Sequence, residues 1–480
     1  MSETQLRPDG PGPEKTHDQM TSPAADDATV AKDVHLSREF VDKLLEAVRA
    51  EDAAGARQIC DDLHAADMAD LLQVLPARER RKLLNLIQSD IDPELFHEIE
   101  GEARGDLYEI TPNTQIADAV TELETDEAVY VLEDLRDEDR EEVLRALSAD
   151  DRVAIEESLS YPEDSAGRLM QRDLIALPEF WTVGQTIDLL RSDDADIPDD
   201  FYDIFVVDPA HKPVGTVPLS RVMRNQRGVA LGHIMEKKPH VIEATADQEE
   251  VAYAFTKYHL ISAAVVDESQ RLVGVVTVDD IVEVIEEEAQ EDILALAGVG
   301  ESASVNESLF EVTRGRFTWL LVNLATAVLA SVVIGLFDAA IEQMVALAVL
   351  MPIVASMGGN AGTQTMTVAV RGLATKELSA TNAARILKRE LMIALGNGVL
   401  LAVISGLLAW LWFGSPGLGG VFAAAMIFNL LVAGMFGLLV PMGLARVGID
   451  PAIASSVFVT TITDVIGFFA FLGLAALWLF

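Results

Sequence analysis

Cysteine is nearly missing from this chain: Cys60 stands alone among 480 residues. A disulfide framework is thereby excluded, and the usage suits a reducing cytosol. Positive charge is also scarce, with 35 Lys and Arg against 77 Asp and Glu. That balance argues against nucleic-acid binding, because phosphates would be repelled. The scarcity is uneven. From Glu311 onward 8 basic and 7 acidic residues nearly cancel, whereas the first 310 residues hold 27 basic and 70 acidic ones, a net charge of −43. A strongly acidic block is followed by a near-neutral apolar one, and the mean hydropathy of +0.26 describes neither. The acidity fits a cation-collecting surface or adaptation to salt; Arg outnumbers Lys and Asp is abundant, as the second reading requires.

Residues 1–35 are rich in Pro, Asp, Thr and Ala without an apolar run. They read as a disordered leader rather than a signal peptide, which needs a hydrophobic core. Residues 36–165 read as an acidic helical domain. DMADLLQVLPARE from Asp67 returns 60 residues later as EAVYVLEDLRDED from Glu127, pairing Leu72 with Leu132, Leu75 with Leu135 and Leu84 with Leu144. Apolar residues at helical spacing between short polar turns predict stacked helix pairs in a small superhelix.

The next segment repeats more clearly. FVVD at 205–208 followed by VG at 214–215 recurs 59 residues on as AVVD at 264–267 and VG at 273–274. Met170 recurs as Met235, with the extra residues of the first copy assigned to the polar loop Ser192–Asp200. Each copy reads as helix, β-branched strand, turn, strand and helix. VGVVTVDDI at 273–281 resembles the signature of a CBS domain, so residues 166–285 read as a tandem CBS pair, divided at about 166–230 and 231–285. That resemblance implies a regulatory module that can take an adenosine nucleotide such as ATP, with Thr277 and Asp280 at the ribose or phosphate position. The first copy departs from the pattern, with Pro218 and Arg221 at the equivalent places.

Residues 286–313 read as an acidic connecting helix whose pattern begins at Asp280. Ile281, Ile285, Ala289, Ile293 and Leu296 predict one buried stripe. Glu283, Glu287 and Glu291 stack four residues apart, with Glu286 and Glu288 beside them. Like charges at that spacing cost roughly 0.2–0.5 kcal/mol each. A solvated helix face normally interleaves Lys, so this one reads as a seat for divalent cations.

Residues 314–480 carry five apolar spans: about Phe317–Phe337, one within Gln343–Val370, two in Leu391–Ala445 divided at 414–420, and Ala452–Phe480. Asp450 and Pro451 suit the N-cap and first position of the last helix. All eight basic residues of this part fall at one set of connections, which predicts a cytoplasmic N-terminus, an external C-terminus and residence in the cell (inner) membrane. Asp464 is the single charge between Ala452 and Phe480. A carboxylate at membrane depth without a basic neighbour points to a water-filled path or a cation. Pro352 and the glycines of GGNAG at 358–362 predict a broken second span whose freed carbonyls face the ion; close helix packing is the alternative use of such glycines.

MP…MGGNAGTQ at 351–364, DPA at 450–452 and TDVIG at 463–467 resemble the MgtE family of magnesium channels and transporters. The order of parts is similar too. The resemblance implies a homodimer in the lipid bilayer with its pore between subunits, Asp464 meeting its copy near the axis, and Gly359, Asn360 and Thr460 nearby. It implies Mg2+ as substrate; the −43 charge of the first 310 residues in turn points to Mg2+ as regulator, bridging acidic faces through Asp279, Asp280, Glu283, Glu286, Glu287 and Glu291. The chemistry agrees: magnesium takes carboxylate oxygens and retains several waters. Manganese and cobalt are similar in size, so a CBS-regulated divalent-cation exchanger or efflux protein is the competing reading. Catalysis is not expected, since no nucleophile–base constellation or phosphate-cradling loop appears in the soluble part.

Overall fold

A computed structural model of the chain describes residues 37–61, 63–192, 197–198, 201–299 and 309–480. The predicted leader and most of the loop Ser192–Asp200 lie outside the described residues.

Short amphipathic segments, each closed by a polar or proline turn, make ten α-helices between Arg38 and Ser158, numbered α1 to α10 in chain order. The faint repeat is real in three dimensions. α3 (Ala65–Val74) and α4 (Ala77–Ile87) return 60 residues later as α8 (Thr125–Asp134) and α9 (Asp137–Ala146). Leu72 and Leu132 are fully buried, Leu75 and Leu135 close their helices in extended backbone, and Leu84 is buried where Leu144 is half-buried. One apolar core runs from Leu44 to Ile155.

β1 (Ala176–Pro178), α11 (Val183–Leu189), β2 (Asp203–Val207), β3 (Pro213–Pro218), α12 (Leu219–Arg224), α13 (Leu231–Ile234) and β4 (Glu236–Lys237) form the first half of an α/β pair. β5 (Val241–Glu243), α14 (Gln248–Tyr258), β6 (Ser262–Val266) and β7 (Leu272–Thr277) form the second. The 59-residue repeat survives in the register: Asp203 pairs with Pro218 as Ser262 pairs with Thr277, and both hairpins shift register at the same place. The two copies exchange their leading segments. β4, at the head of the second copy, pairs with β3 of the first, and Gln171, at the head of the first copy, bridges Val275 of the second. The repeated methionines follow this crossing, for Met235 Sδ lies where a side chain on Gly215 would go and Met170 Sδ where one on Gly274 would go.

α15 (Val278–Ala297) starts directly at the end of β7 and ends at Gly298, so it begins before and stops short of the limits read from sequence. Its expected stripe is corrected as well. Ile281 is buried with Val284 and Ala295, while Ile285, Ala289 and Ile293 are exposed with Val282 on an uncovered apolar edge. Periodicity fixed the helix but mistook which apolar edge faces the rest of the chain.

α16 (Leu309–Gly335), the short α17 (Asp338–Gln343), α18 (Ala346–Ala374), α19 (Ala383–Phe413), α20 (Pro416–Arg446) and α21 (Pro451–Trp478) complete the fold. Five of these are long and apolar enough to cross a membrane. Asp450 caps α21 through a 2.8 Å bond from Ala452 N, with Pro451 in the first turn, as its sequence predicts. The predicted break in the second span is absent. α18 is one helix of 29 residues through Pro352 and GGNAG. Pro352 falls within its first two turns, and Gly358 and Gly362 are used for close packing, against Asn429 and Val459. The carbonyls of Gly359 and Asn360 therefore stay inside the helical ladder.

Candidate functional site

In the membrane part, α18 and α21 pack side by side, and Gly359 of α18 lies beside Thr460 of α21. A Cβ there would stand 3.3 Å from Thr460 Cγ2, so the missing side chain admits Thr460. Thr460 turns its hydroxyl back to the carbonyl of Ser456, and Thr463 and Thr461 likewise bond to Thr460 O and Val457 O at 3.0 and 2.6 Å. Asp464 follows one turn after Thr460, half-buried, and no ion pair to it occurs among the described residues. Asn360 is exposed, its amide 3.4 Å from Ser356 Oγ. Ser356, Asn360, Thr363, Gln364 and Thr367 recur at helical spacing and are all exposed on a single chain. Lipid cannot satisfy such a face.

The acidic residues outside the membrane-crossing helices converge elsewhere. α8 presents Asp126, Glu127 and Glu133 to α15, which answers with Asp280, Glu283 and Glu287 around a cavity of about 190 Å3. His97 Nε2 lies 3.9 Å from Glu283 Oε2 at its edge. Asp280 accepts a 2.7 Å bond from Thr277 Oγ1, and its carboxyl faces that of Asp126. The other Asp126 oxygen, Oδ1, is shut off from water without a hydrogen-bond partner. Burial pushes the Asp126 carboxyl well above the usual carboxylate range, with Asp280, Glu124 and Glu127 adding to it. Burial likewise raises Glu124 to about 7, helped by Glu127 and Asp280, and Asp280 to about 6, helped by Asp279. These carboxyls resist carrying their charges together.

A second acidic group joins α14 and α15 to the membrane part. Burial, then Glu288, Asp247, Asp292 and Asp450, raise the Glu249 carboxyl to about 7. Asp450 is the cap of α21, the helix that carries Asp464. Beside this group Ala295 and Leu296 of α15 pack on Met366 and Val370 of α18 and on Ala452 and Val459 of α21. Lys376, after α18, reaches Glu250 of α14 at 3.5 Å and lies 4.5 Å from the Tyr253 ring centroid. These contacts thus fall on α18 and α21 or, for Lys376, just beyond the end of α18.

Of the predicted cytosolic residues, Asp279, Asp280, Glu283 and Glu287 meet the helical domain, while Glu286 accepts a 3.1 Å bond from Gln290 on an exposed edge and Glu291 is half-buried farther along. The sequence does not single out Glu124, Asp126, Glu127 or Glu249, and it offers Asp450 only as a helix cap. The signal for the first three was present in TELETDE at 121–127, four acids without a base. Thr277 and Asp280 are occupied with each other in a capping box and do not line the cleft of about 560 Å3 in the α/β pair that is bordered by Tyr202, Pro218, Lys238, His240, Tyr258 and His259. Among the described residues no three His, Cys, Asp or Glu side chains converge into a preformed metal site. The buried, unpartnered Asp126 Oδ1 and the neighbouring carboxylates of Glu127, Asp280, Glu283 and Glu287 nonetheless fit a hard, hydrated cation, although His97 and Arg168 line the same cavity.

Family models match three stretches: one described as MgtE, divalent cation transporter, at residues 351–474, the MgtE intracellular N domain at 63–164, and a CBS domain at 231–287. A protein of Thermus thermophilus named magnesium transporter MgtE is 30% identical over 439 residues, covering 90% of this chain and 97% of its own. One of the same name from Bacillus subtilis is 29% identical over 419 residues, covering 87% and 93%. A solved structure described as the cytosolic domain of the Mg2+ channel MgtE in complex with ATP aligns with a TM-score of 0.47 and 28% identity over 51% of this chain and 99% of that one.

Proposed function

The chain belongs to the MgtE family of magnesium transporters, and from that premise we propose that it takes up magnesium through a homodimeric pore closed by magnesium on the cytosolic side. The observation that carries the pore is the uncovered polar face of α18 beside Asp464 and Thr460. Facing lipid it would be untenable; facing a second copy across a water-filled axis it is satisfied. Asp464 from each copy then holds a hydrated ion through its waters, with the Asn360 amide and the Thr460 edge beside it and Gly359 keeping the two helices close. The exchanger reading lacks any comparable observation. The basic residues at alternate connections orient the N-terminal domains toward the cytoplasm of the inner membrane.

Closure follows from the acidic contacts. With magnesium between them, Asp126 and Asp280 stay in contact, α15 stays seated on α18 and α21, and the pore is shut. Without magnesium, the crowded carboxylates separate the helical domain from α15, and the seat loosens. A cation that prefers the compact arrangement shifts the population toward it. A nucleotide bound by the CBS pair would occupy the cleft of Tyr202 and Tyr258 rather than Thr277 and Asp280.

Magnesium flux into proteoliposomes tests this, comparing wild type with Asp464→Ala at low and high magnesium on the cytosolic side. The expected outcome is wild-type flux suppressed by high magnesium and flux at least about tenfold lower in the variant. Full flux through Asp464→Ala would remove the carboxylate from the conduction site.

A further inference from the structure

Asn429 lies in the middle of α20, fully buried among apolar neighbours. A polar group so placed is costly unless its bonds are made. Its Nδ2 donates a 2.8 Å hydrogen bond to Val354 O of α18, while its Oδ1 is buried with no partner. The carboxamide sits between two glycines on different helices. A Cβ on Gly358 would fall into the amide, and one on Gly467 would lie 2.8 Å from both its nitrogen and its oxygen. Gly358 stands two residues before Asn360, and Gly467 three after Asp464. One side chain therefore touches α18 and α21 each within one turn of the residues assigned to the ion.

Simple stabilisation does not account for it. A leucine would fill the same space without leaving a buried acceptor unpaired, and such an acceptor costs about 1–3 kcal/mol. What the amide supplies is direction: it bonds one carbonyl of α18 and admits α21 only where Gly467 faces it. We propose that Asn429 is a positioning residue for conduction, fixing the offset between α18 and α21 so that Asn360, Thr460 and Asp464 face the same ion. This rests on the reading of Asp464 as the pore carboxylate.

Asn429→Ala, Gly358→Ala and the double variant, with Asp464→Ala alongside, decide it in the full-length protein reconstituted in liposomes. Magnesium flux is read per folded protein, together with competition by manganese and cobalt. Each single variant is expected to lose roughly tenfold in flux and to change the competition by the other cations, and the double variant to be no worse than either single, because both changes act on one contact. Singles whose losses multiply in the double, or Asn429→Ala with wild-type flux and competition while Asp464→Ala is dead, would overturn the positioning role alone. Wild-type flux in Asp464→Ala would instead overturn the pore reading beneath it. Should Gly358→Ala not fold, Gly467→Ala replaces it in the same cycle. Asn429→Leu separates positioning from packing: it is expected to keep thermal stability at or above wild type and still lose the flux, whereas full flux in it would reduce Asn429 to a packing residue.

Discussion

Asp126 and Asp280 face one another across the boundary between the helical domain and α15, and among the described residues neither has a basic partner. Asparagine at 126 removes one of the two charges and supplies a donor. Asp126→Asn is therefore expected to favour the compact arrangement by about tenfold in chelator and to flatten its dependence on magnesium, measured by limited proteolysis of the full chain. A variant as sensitive to protease as wild type in chelator would show that this pair does not drive separation. The contrast with Asp464 explains what could be read in advance. A lone charge in an apolar run is visible along the chain, because the membrane penalises it whatever its partners are. The meaning of Asp126 depends on a residue 154 positions away. No local pattern carries that distance.

At the level of elements, α15 and α18 show where periodicity stops informing. A 3.6-residue repeat announces a helix, but α15 has apolar residues on two edges and acids between, so the pattern alone could not say which edge is covered. In α18 the same glycines that permit a break also permit close contact, and the choice lies with Asn429 and Val459 on other helices. The covered end of α15 makes a direct prediction. Ala295 is buried against the apolar group that includes Ala452. Ala295→Trp is expected to unseat α15 and leave at least half of the flux running at high cytosolic magnesium, since overpacking costs about 1–3 kcal/mol. Normal closure in that variant would mean that α15 does not shut the pore by sitting there.

Across the whole molecule, the acidic charge outside the membrane-crossing helices behaves as a reservoir of repulsion held in check. Glu124 and Glu249 are raised to about 7 and Asp280 to about 6 in the compact arrangement, each chiefly by burial. A raised carboxyl holds its proton longer in the compact state than when separated. Its contribution to compactness is fully present below the ordinary carboxylate range and is lost as pH rises through about 6 to 7. Without magnesium, protease protection of the full chain is accordingly expected to rise as pH falls from about 8 to about 6, and magnesium to matter most at the upper end. Protection that is flat or falls over that window would assign the repulsion to other groups.

The crossed α/β pair has a consequence for how the chain is made. The first sheet is completed by Glu236 and Lys237, and the second takes back Gln171, synthesised about a hundred residues before its partner Val275. As the polypeptide leaves the ribosome, neither copy can finish folding from its own residues. The segment that tethers the helical domain must wait, half-assembled, for β7, and α15 follows β7 without a gap. The newborn chain therefore completes the α/β pair just before its first membrane-crossing helix emerges, and on the function proposed above the sensor exists before there is anything for it to control.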